Sequence, residues 1–262
     1  MNRRVILVPL FGASLLTLAA CGAASTPVFQ LSPTPNSSNS QSVATPAVQT
    51  PQAPSVPADA RAVLFGNASP PLASGHPGVI DIVAQGAYDG SSVPIVLRNN
   101  TSGTVHGIEV TGEARDASSH LIGTGSSQDI YPNNVAPGQI AVGYVYFSGA
   151  TLPAGTTFSF QSDGKLGADT PPFAKLDLSI GEASITADGS MVGTVKNPLA
   201  QRASGPIGVM AMCFDQAGHV LGETNGFADG HTVDPGGTDP FTLRLGATSC
   251  PVYLVGAEGF GF

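Results

Sequence analysis

Two Asp/His pairs, Asp116 with His120 and Asp215 with His219, have the residue types and spacing to do chemistry. A carboxylate and an imidazole held together can polarise a nucleophile. Each pair, however, brackets a short turn-like stretch, Ala117-Ser118-Ser119 in one and Gln216-Ala217-Gly218 in the other. Asp is common in such hairpin turns because its side chain accepts hydrogen bonds from nearby backbone N–H groups. No Ser keeps a fixed place relative to both pairs. The pattern predicts turns and no catalytic residues; a hydrolase or metal-dependent enzyme using these Asp/His loops is the alternative. The loop Asp229-Gly230-His231-Thr232-Val233-Asp234, continuing to Asp239, carries oxygen groups of the kind Ca²⁺ takes. Its spacing fits no EF-hand and no His/Cys zinc pattern, so a solvated loop is expected, with no metal and no other cofactor.

A third candidate for chemistry is Cys21, at the end of Leu18-Ala19-Ala20-Cys21. The run closes an apolar stretch from Val5 to Ala20 that follows Arg3 and Arg4. Basic start, apolar middle and small residues before a cut describe a secretory signal. At about 16 residues the stretch is shorter than the roughly 20 a spanning helix needs. All four positions resemble the lipobox of bacterial lipoproteins. The resemblance implies cleavage before Cys21, acylation of its thiol by chains such as palmitate, and a protein held on a membrane outside the cytoplasm. Two or more acyl chains anchor stably where one does not. Gly22, not Asp, follows Cys21, so the inner-membrane retention signal of Gram-negative lipoproteins is missing; the choice of membrane stays open. With Cys21 acylated, Cys213 and Cys250 remain. An oxidising compartment permits a bridge between them, closing a loop of about 37 residues; two free buried thiols are the other reading.

The elements that must position such groups follow from composition. Gly (33) and Pro (22) are abundant and charged residues are only 11%, which disfavours helix interiors. The net charge of −8 argues against nucleic acid as a partner. Residues 22–60 are rich in Pro, Ser, Thr, Gln and Asn with few large apolar groups, a composition that cannot bury enough surface to fold. The chain thus divides into a signal (1–20), a lipidated Cys with a stalk (21–74), a first domain (75–162), a linker (163–172) and a second domain (173–262).

The two domain assignments rest on an internal repeat with an offset of 98 or 99 residues. Asp89-Gly90-Ser91 recurs as Asp188-Gly189-Ser190, and Asn99 as Asn197. The stretch from Asp116 to Gly123 recurs from Asp215 to Gly222, and Pro137-Gly138 as Pro235-Gly236. Within each copy apolar residues alternate with polar ones, as in Ile108 and Val110 or Phe241, Leu243 and Leu245. Alternation at period two means half-buried strands, and turns every ten or so residues suit a β-sandwich.

Each copy also resembles the FxLYD-type domain of bacterial envelope proteins. The second copy carries Gly193-Thr194-Val195-Lys196-Asn197, Phe214-Asp215, Gly218, Val220-Leu221, Pro235-Gly236 and Phe241 in that family's order. In the first copy Arg115 replaces the aromatic residue before Asp116, and Val96-Leu97-Arg98-Asn99 lacks the glycine. The resemblance implies all-β architecture with two tandem immunoglobulin-like sandwiches and no shared enzyme activity.

One difference between the copies bears on function. Thr111, Glu113 and Arg115 align with Met210, Met212 and Phe214, whereas Val110, Gly112 and Ala114 align with Val209, Ala211 and Cys213. If the second set faces the core, the outward face of that strand is polar in one copy and apolar in the other. The first copy has Tyr144 and Tyr146 where the second has Thr242 and Arg244. These apolar stripes are candidate interaction surfaces: the domains pack on each other, a partner docks, or a bulge has reversed the faces. The expectation is a non-catalytic, lipid-anchored protein that binds or scaffolds another envelope protein or glycan; a passive structural spacer is the other non-enzymatic reading.

Overall fold

The computed structural model describes residues 64–149, 151–169, 174–246 and 249–261. The signal segment, Cys21 and the stalk up to residue 63 lie outside the described residues. Among the described residues every regular element is a strand. A short strand β1 (Phe65–Gly66) comes first. The first repeat then supplies β2 (Ile80–Gln85), β3 (Ser92–Asn99), β4 (Val105–Arg115), β5 (Leu121–Tyr131), β6 (Ile140–Tyr146) and β7 (Thr157–Leu166). The second supplies β8 (Lys175–Ile185), β9 (Ser190–Lys196), β10 (Ala203–Phe214), β11 (Val220–Phe227), β12 (Thr232–Val233), β13 (Thr238–Arg244) and β14 (Val252–Phe260).

Two antiparallel sheets result. The first runs β2-β3-β6-β5-β4-β7; the second runs β11-β10-β14-β8-β9-β13, with β1 added to β14 and β12 to β10. Replacing each strand of the first sheet by its repeat equivalent gives the same circle of neighbours. The circle is open between β7 and β2 in the first sheet and between β13 and β11 in the second. At both openings the edge strands approach: Ser162 Oγ donates to Ile80 O at 2.6 Å, and Thr224 Oγ1 to Arg244 O at 3.1 Å. Three register shifts also recur at equivalent places. They lie after Ile82 and Ile180, after His106 and Ser204, and after Ala114 and Cys213. The sequence repeat is therefore a repeat of strand order and of bulges.

Each sheet curls around its own core. Val93, Ile95, Leu97, Val110, Val145 and Phe147 fill the first, and Tyr88 and Phe158 close over Phe147 with ring centroids 6.3 and 5.2 Å away. Leu178, Met191, Val195, Val209, Phe241 and Leu243 fill the second. The repeated asparagines have a structural task. Asn99 is fully buried; its Nδ2 donates to Gly103 O and Val135 O at 2.8 and 2.7 Å, and its Oδ1 accepts from Thr101 N. Asn197 makes the matching bonds to Gln201 O, Val233 O and Leu199 N. The Pro-Gly motifs sit beside them, with Gly138 N bonded to Asn99 O and Gly236 N to Asn197 O. One amide thus satisfies three backbone groups from two segments in each repeat, which is why a polar residue is tolerated in so buried a place.

Two boundary expectations change. Residues 64–74, grouped with the stalk because the repeat begins at about residue 75, form an extended strap bonded to both sheets. Three apolar residues, Leu64, Phe65 and Leu72, give it enough buried surface to hold. The strand β7 also runs on to Leu166, into the segment 163–172 expected as linker.

Cys213 and Cys250 are joined, with Cα atoms 4.9 Å apart. The bridge staples the end of β10 to the segment leading into its neighbour β14. It closes 37 residues that include β11, β12 and β13. Replacing both cysteines by Ser should lower unfolding free energy by about 3–4 kcal/mol, read from denaturant titration of oxidised and variant protein.

Candidate functional site

The stripe of Met210, Met212 and Phe214 lies on the face of β10 opposite Val209, Ala211 and Cys213, so both faces of this strand are apolar. All three stripe residues are fully buried. They meet the outer face of the first sheet, where Val96, Tyr131 and Val142 are buried and Ile140 and Tyr144 partly so. Val220, Val252 and Leu254 complete the second sheet's side, and Leu64 and Leu72 of the strap pack against the same cluster. The candidate surface is thus a contact between the two sheets. Tyr146 is the exception: it lies outside the cluster and remains 41% exposed. On β4 the aligned residues Thr111 and Glu113 face solvent.

Close approach of the sheets depends on glycines. A Cβ on Gly256 would lie 2.9 Å from both Tyr131 Cβ and Leu64 Cδ2, and one on Gly208 would overlap the Tyr131 hydroxyl. Gly86 of the first sheet lies against Val220 in the same way. These small residues let an aromatic ring and the strap sit flat on the second sheet.

Beside the apolar contact is a polar one, which the sequence reading did not find. Lys175 Nζ donates to Glu258 Oε1 at 2.6 Å and to Asp129 Oδ1 at 3.1 Å. Asp177 accepts from Asn133 N, Asn134 N and Asn134 Nδ2 at 2.6, 3.0 and 2.8 Å. Asp169 accepts from Asn133 Nδ2 and Lys175 N, and its own N–H donates to Asn134 Oδ1. The junction is therefore fixed by groups from β5, the loop after it, β8 and β14. Burial pushes the Glu258 carboxyl up to about 7, against the pull of Lys175. Its Oε2 has no hydrogen-bond partner among the described residues. Burial and then the charge of Glu258 raise the Tyr131 hydroxyl. Burial opposes ionisation of Lys175, but the carboxylates of Glu258 and Asp129 outweigh it and hold its ammonium charged. The signal in sequence for this group is faint, because its members are spread from residue 129 to residue 258.

The Asp/His pairs do form hairpin turns. Asp116 Oδ1 accepts from Ser118 N and His120 N at 2.8 and 2.9 Å; Asp215 Oδ1 accepts from Ala217 N and His219 N at the same distances. His120 Nδ1 lies 3.3 Å from Asp116 Oδ2, and His219 Nδ1 lies 2.8 Å from Asp215 Oδ2. The bond from His219 comes first among the contacts that lower the Asp215 carboxyl, followed by the turn N–H groups. Both imidazoles point into solvent. Gly218, at φ 86°, is held closer still: a Cβ there would meet Pro71 O of the strap at 2.6 Å. Gly230 N, in the loop after β11, donates to Asp239 Oδ2 of β13 at 2.7 Å, and Asp234, after β12, pairs with Arg202. Among the described residues no group of three or more His, Cys, Asp or Glu could hold a metal ion.

No protein-family model matches the chain, and no curated protein is significantly similar to it.

Three outcomes follow from this junction. Phe214→Ala should cost about 3–5 kcal/mol of stability in denaturant titration, as expected for emptying a filled aromatic site. Gly218→Ala should lower the melting temperature, whereas Ser119→Gly, at the equivalent left-handed turn position, should leave it equal or higher. The third concerns pH. The folded state favours neutral Glu258, so the stability this group contributes is complete below the ordinary carboxyl range and declines as pH rises toward about 7. Thermal melts between about pH 4 and 8 should show a loss of up to about 3 kcal/mol, flattened in Glu258→Gln.

Proposed function

We propose that this protein is a non-catalytic, lipid-anchored component of a bacterial envelope that presents two immunoglobulin-like domains to another envelope protein or glycan. The observation that carries this reading is the role of the Asp/His pairs. Their carboxylates bind the backbone of two equivalent hairpin turns, so the groups best suited to chemistry have a structural task in both repeats. The lipobox resemblance at Leu18–Cys21 supports attachment to a membrane by acyl chains. The Cys213–Cys250 bridge supports an oxidising compartment outside the cytoplasm. The shared circle of six strands supports two related all-β domains, and the apolar contact between them supports a body that presents its surfaces in fixed relation.

The test has two parts. In a bacterial host, Cys21→Ala should move the protein from the membrane to the soluble fraction and abolish labelling by a clickable palmitate analogue. Cross-linking in intact envelopes should yield a discrete adduct with a second component. Retention of Cys21→Ala on the membrane would overturn the anchor, and lack of any specific adduct would overturn the binding role. Asp215→Ala should lower the melting temperature without removing any hydrolytic activity.

A further inference from the structure

The second sheet shows what an opening between its strands can hold. There β8 pairs with β14 only from Leu178 opposite Ala257 to Lys175 opposite Phe260, then bulges after Ile180 and follows β9. β1 takes the edge of β14 that β8 leaves, with Phe65 opposite Val255 and Gly66 opposite Leu254. The Phe65 side chain packs on the second core. Asn67 clamps the end, its Nδ2 donating to Pro251 O and its Oδ1 accepting from Tyr253 N, each at 2.9 Å. A short extended segment is thus seated by backbone pairing, one inward apolar side chain and one side-chain clamp.

The first sheet has the same wedge. Gly112 of β4 lies opposite Phe160 of β7, as its equivalent Ala211 lies opposite Val255, so Phe160 stands where Val255 does. By the same register Ser162 stands for Ala257, and its bond to Ile80 O marks the place of the Leu178–Ala257 pair. Beyond it β2 bulges after Ile82, as β8 does after Ile180, and follows β3. Among the described residues no strand pairs with this edge of β7. A groove of about 350 Å³ occupies the position, lined by Asp81, Ile82, Gln85, Phe158, Ser159 and Phe160. It continues past Gln85 into a hollow of about 460 Å³ beside Tyr88 and Leu152. Ile82, Phe158 and Phe160, partly buried against the first core, contribute apolar side chains to the groove's floor, while most of the exposed lining is polar, as an unpaired strand edge is. The one charged residue lining the groove is Asp81, whose carboxylate is lowered by its bond from His76 N and whose Oδ2 also lies 2.7 Å from His76 Nδ1, leaving Oδ1 for a ligand's flank.

We propose that the wedge between β2 and β7 is a strand-acceptor site, which binds an extended segment of a partner protein by pairing with β7. The segment seats a large apolar side chain against Phe158 and Phe160 and carries a neutral or basic flank beside Asp81. Edge strands recognise extended chains through their backbone N–H and C=O groups, with alternate side chains giving selectivity. The partner's chemistry is read from β1, which satisfies the same demands in the equivalent wedge, and from the Asp81 carboxylate at one side of the groove. This inference rests on the binding role proposed above and names the class of partner.

The test uses the full chain in detergent and a fluorescent peptide of sequence Ala-Val-Leu-Phe-Gly-Asn-Ala, the segment that surrounds β1. Saturable binding is expected, with slowed amide exchange across residues 157–162 and no binding when the peptide's Phe is replaced by Asp. Gln85→Trp fills the wedge from an exposed position and should weaken binding by about tenfold or more at an unchanged melting temperature. No saturation at millimolar peptide, or equal affinity for Gln85→Trp, overturns the proposal. So does protection confined to residues 252–257, which would mean that the peptide only displaced β1. A concentration-dependent dimer that protects residues 157–162 without peptide also overturns it, because a second copy then fills the wedge. None of these outcomes alters the membrane-fraction and cross-linking results that decide the broader role.

Discussion

The double-sided burial of β10 organises the rest of the molecule. A strand with Val209, Ala211 and Cys213 on one face and Met210, Met212 and Phe214 on the other cannot leave either face in water. One face makes the second core. The other requires a cover, and the first sheet supplies it through Val96, Val142 and Tyr131. The remaining features of the junction follow from that contact. Glycines thin the second sheet beneath Tyr131, Leu64 and Leu72 cap the margin, and a charged cluster forms where the apolar contact ends. The charged cluster fixes registration at a cost in desolvation, visible in Glu258 Oε2, which has no hydrogen-bond partner among the described residues.

Much of this was legible in the chain. The period-two pattern from Val209 to Phe214 identified both faces of β10, and comparison with Thr111, Glu113 and Arg115 singled out the apolar one. The turn reading of Asp116 and Asp215 rested on local hydrogen bonding, which depends on only a few neighbouring residues and so shows in sequence. The pairing of Cys213 with Cys250 needed only that their strand ends meet. What escaped was whatever depends on distant segments meeting. Residues 64–74 fall with the stalk in sequence because they precede the first repeat and carry no alternating pattern of their own. Their order comes from the edge of β14 and from the turn at Gly218, which no local pattern reveals. The group of Asp129, Lys175, Asp177 and Glu258 was hidden for the same reason, as was the placing of Tyr144 in the contact and Tyr146 outside it.

The two repeats show how duplication can differ without changing strand order. Both use one circle of six strands, the same three bulges and the same buried Asn. They differ in where the circle is open. In the second repeat the chain before the bulge reaches far enough to pair β8 with β14. In the first, the equivalent stretch is the Pro77-Gly78 turn, with Gly78 at φ 83° and its N–H bonded to Asn100 O, so β7 lacks that partner. A turn in place of four residues of strand is therefore enough to shift the seam. The outer faces have diverged as well: the second repeat's became an internal contact, and the first repeat's stayed polar along β4.

The strap gives the molecule a direction for load. Its first residues hang from β14 through two residue pairs and the Asn67 clamp on Pro251 and Tyr253. Cys250 lies next to that clamp and is covalently tied to Cys213 in β10. Tension entering from the N-terminal side therefore reaches a cross-linked corner of the second sheet before it reaches the first sheet. The far end of the strap is held separately, by Arg98 Nε and Asn100 Nδ2 on Ala73 O and Ser74 O. Between the two moorings lie Pro71, seated on Gly218, and Leu72, inserted in the junction. A pull strong enough to peel β1 would strip this cover and wet the seam between the sheets. The strap thus couples mechanical stress at the N-terminal side to the stability of the junction.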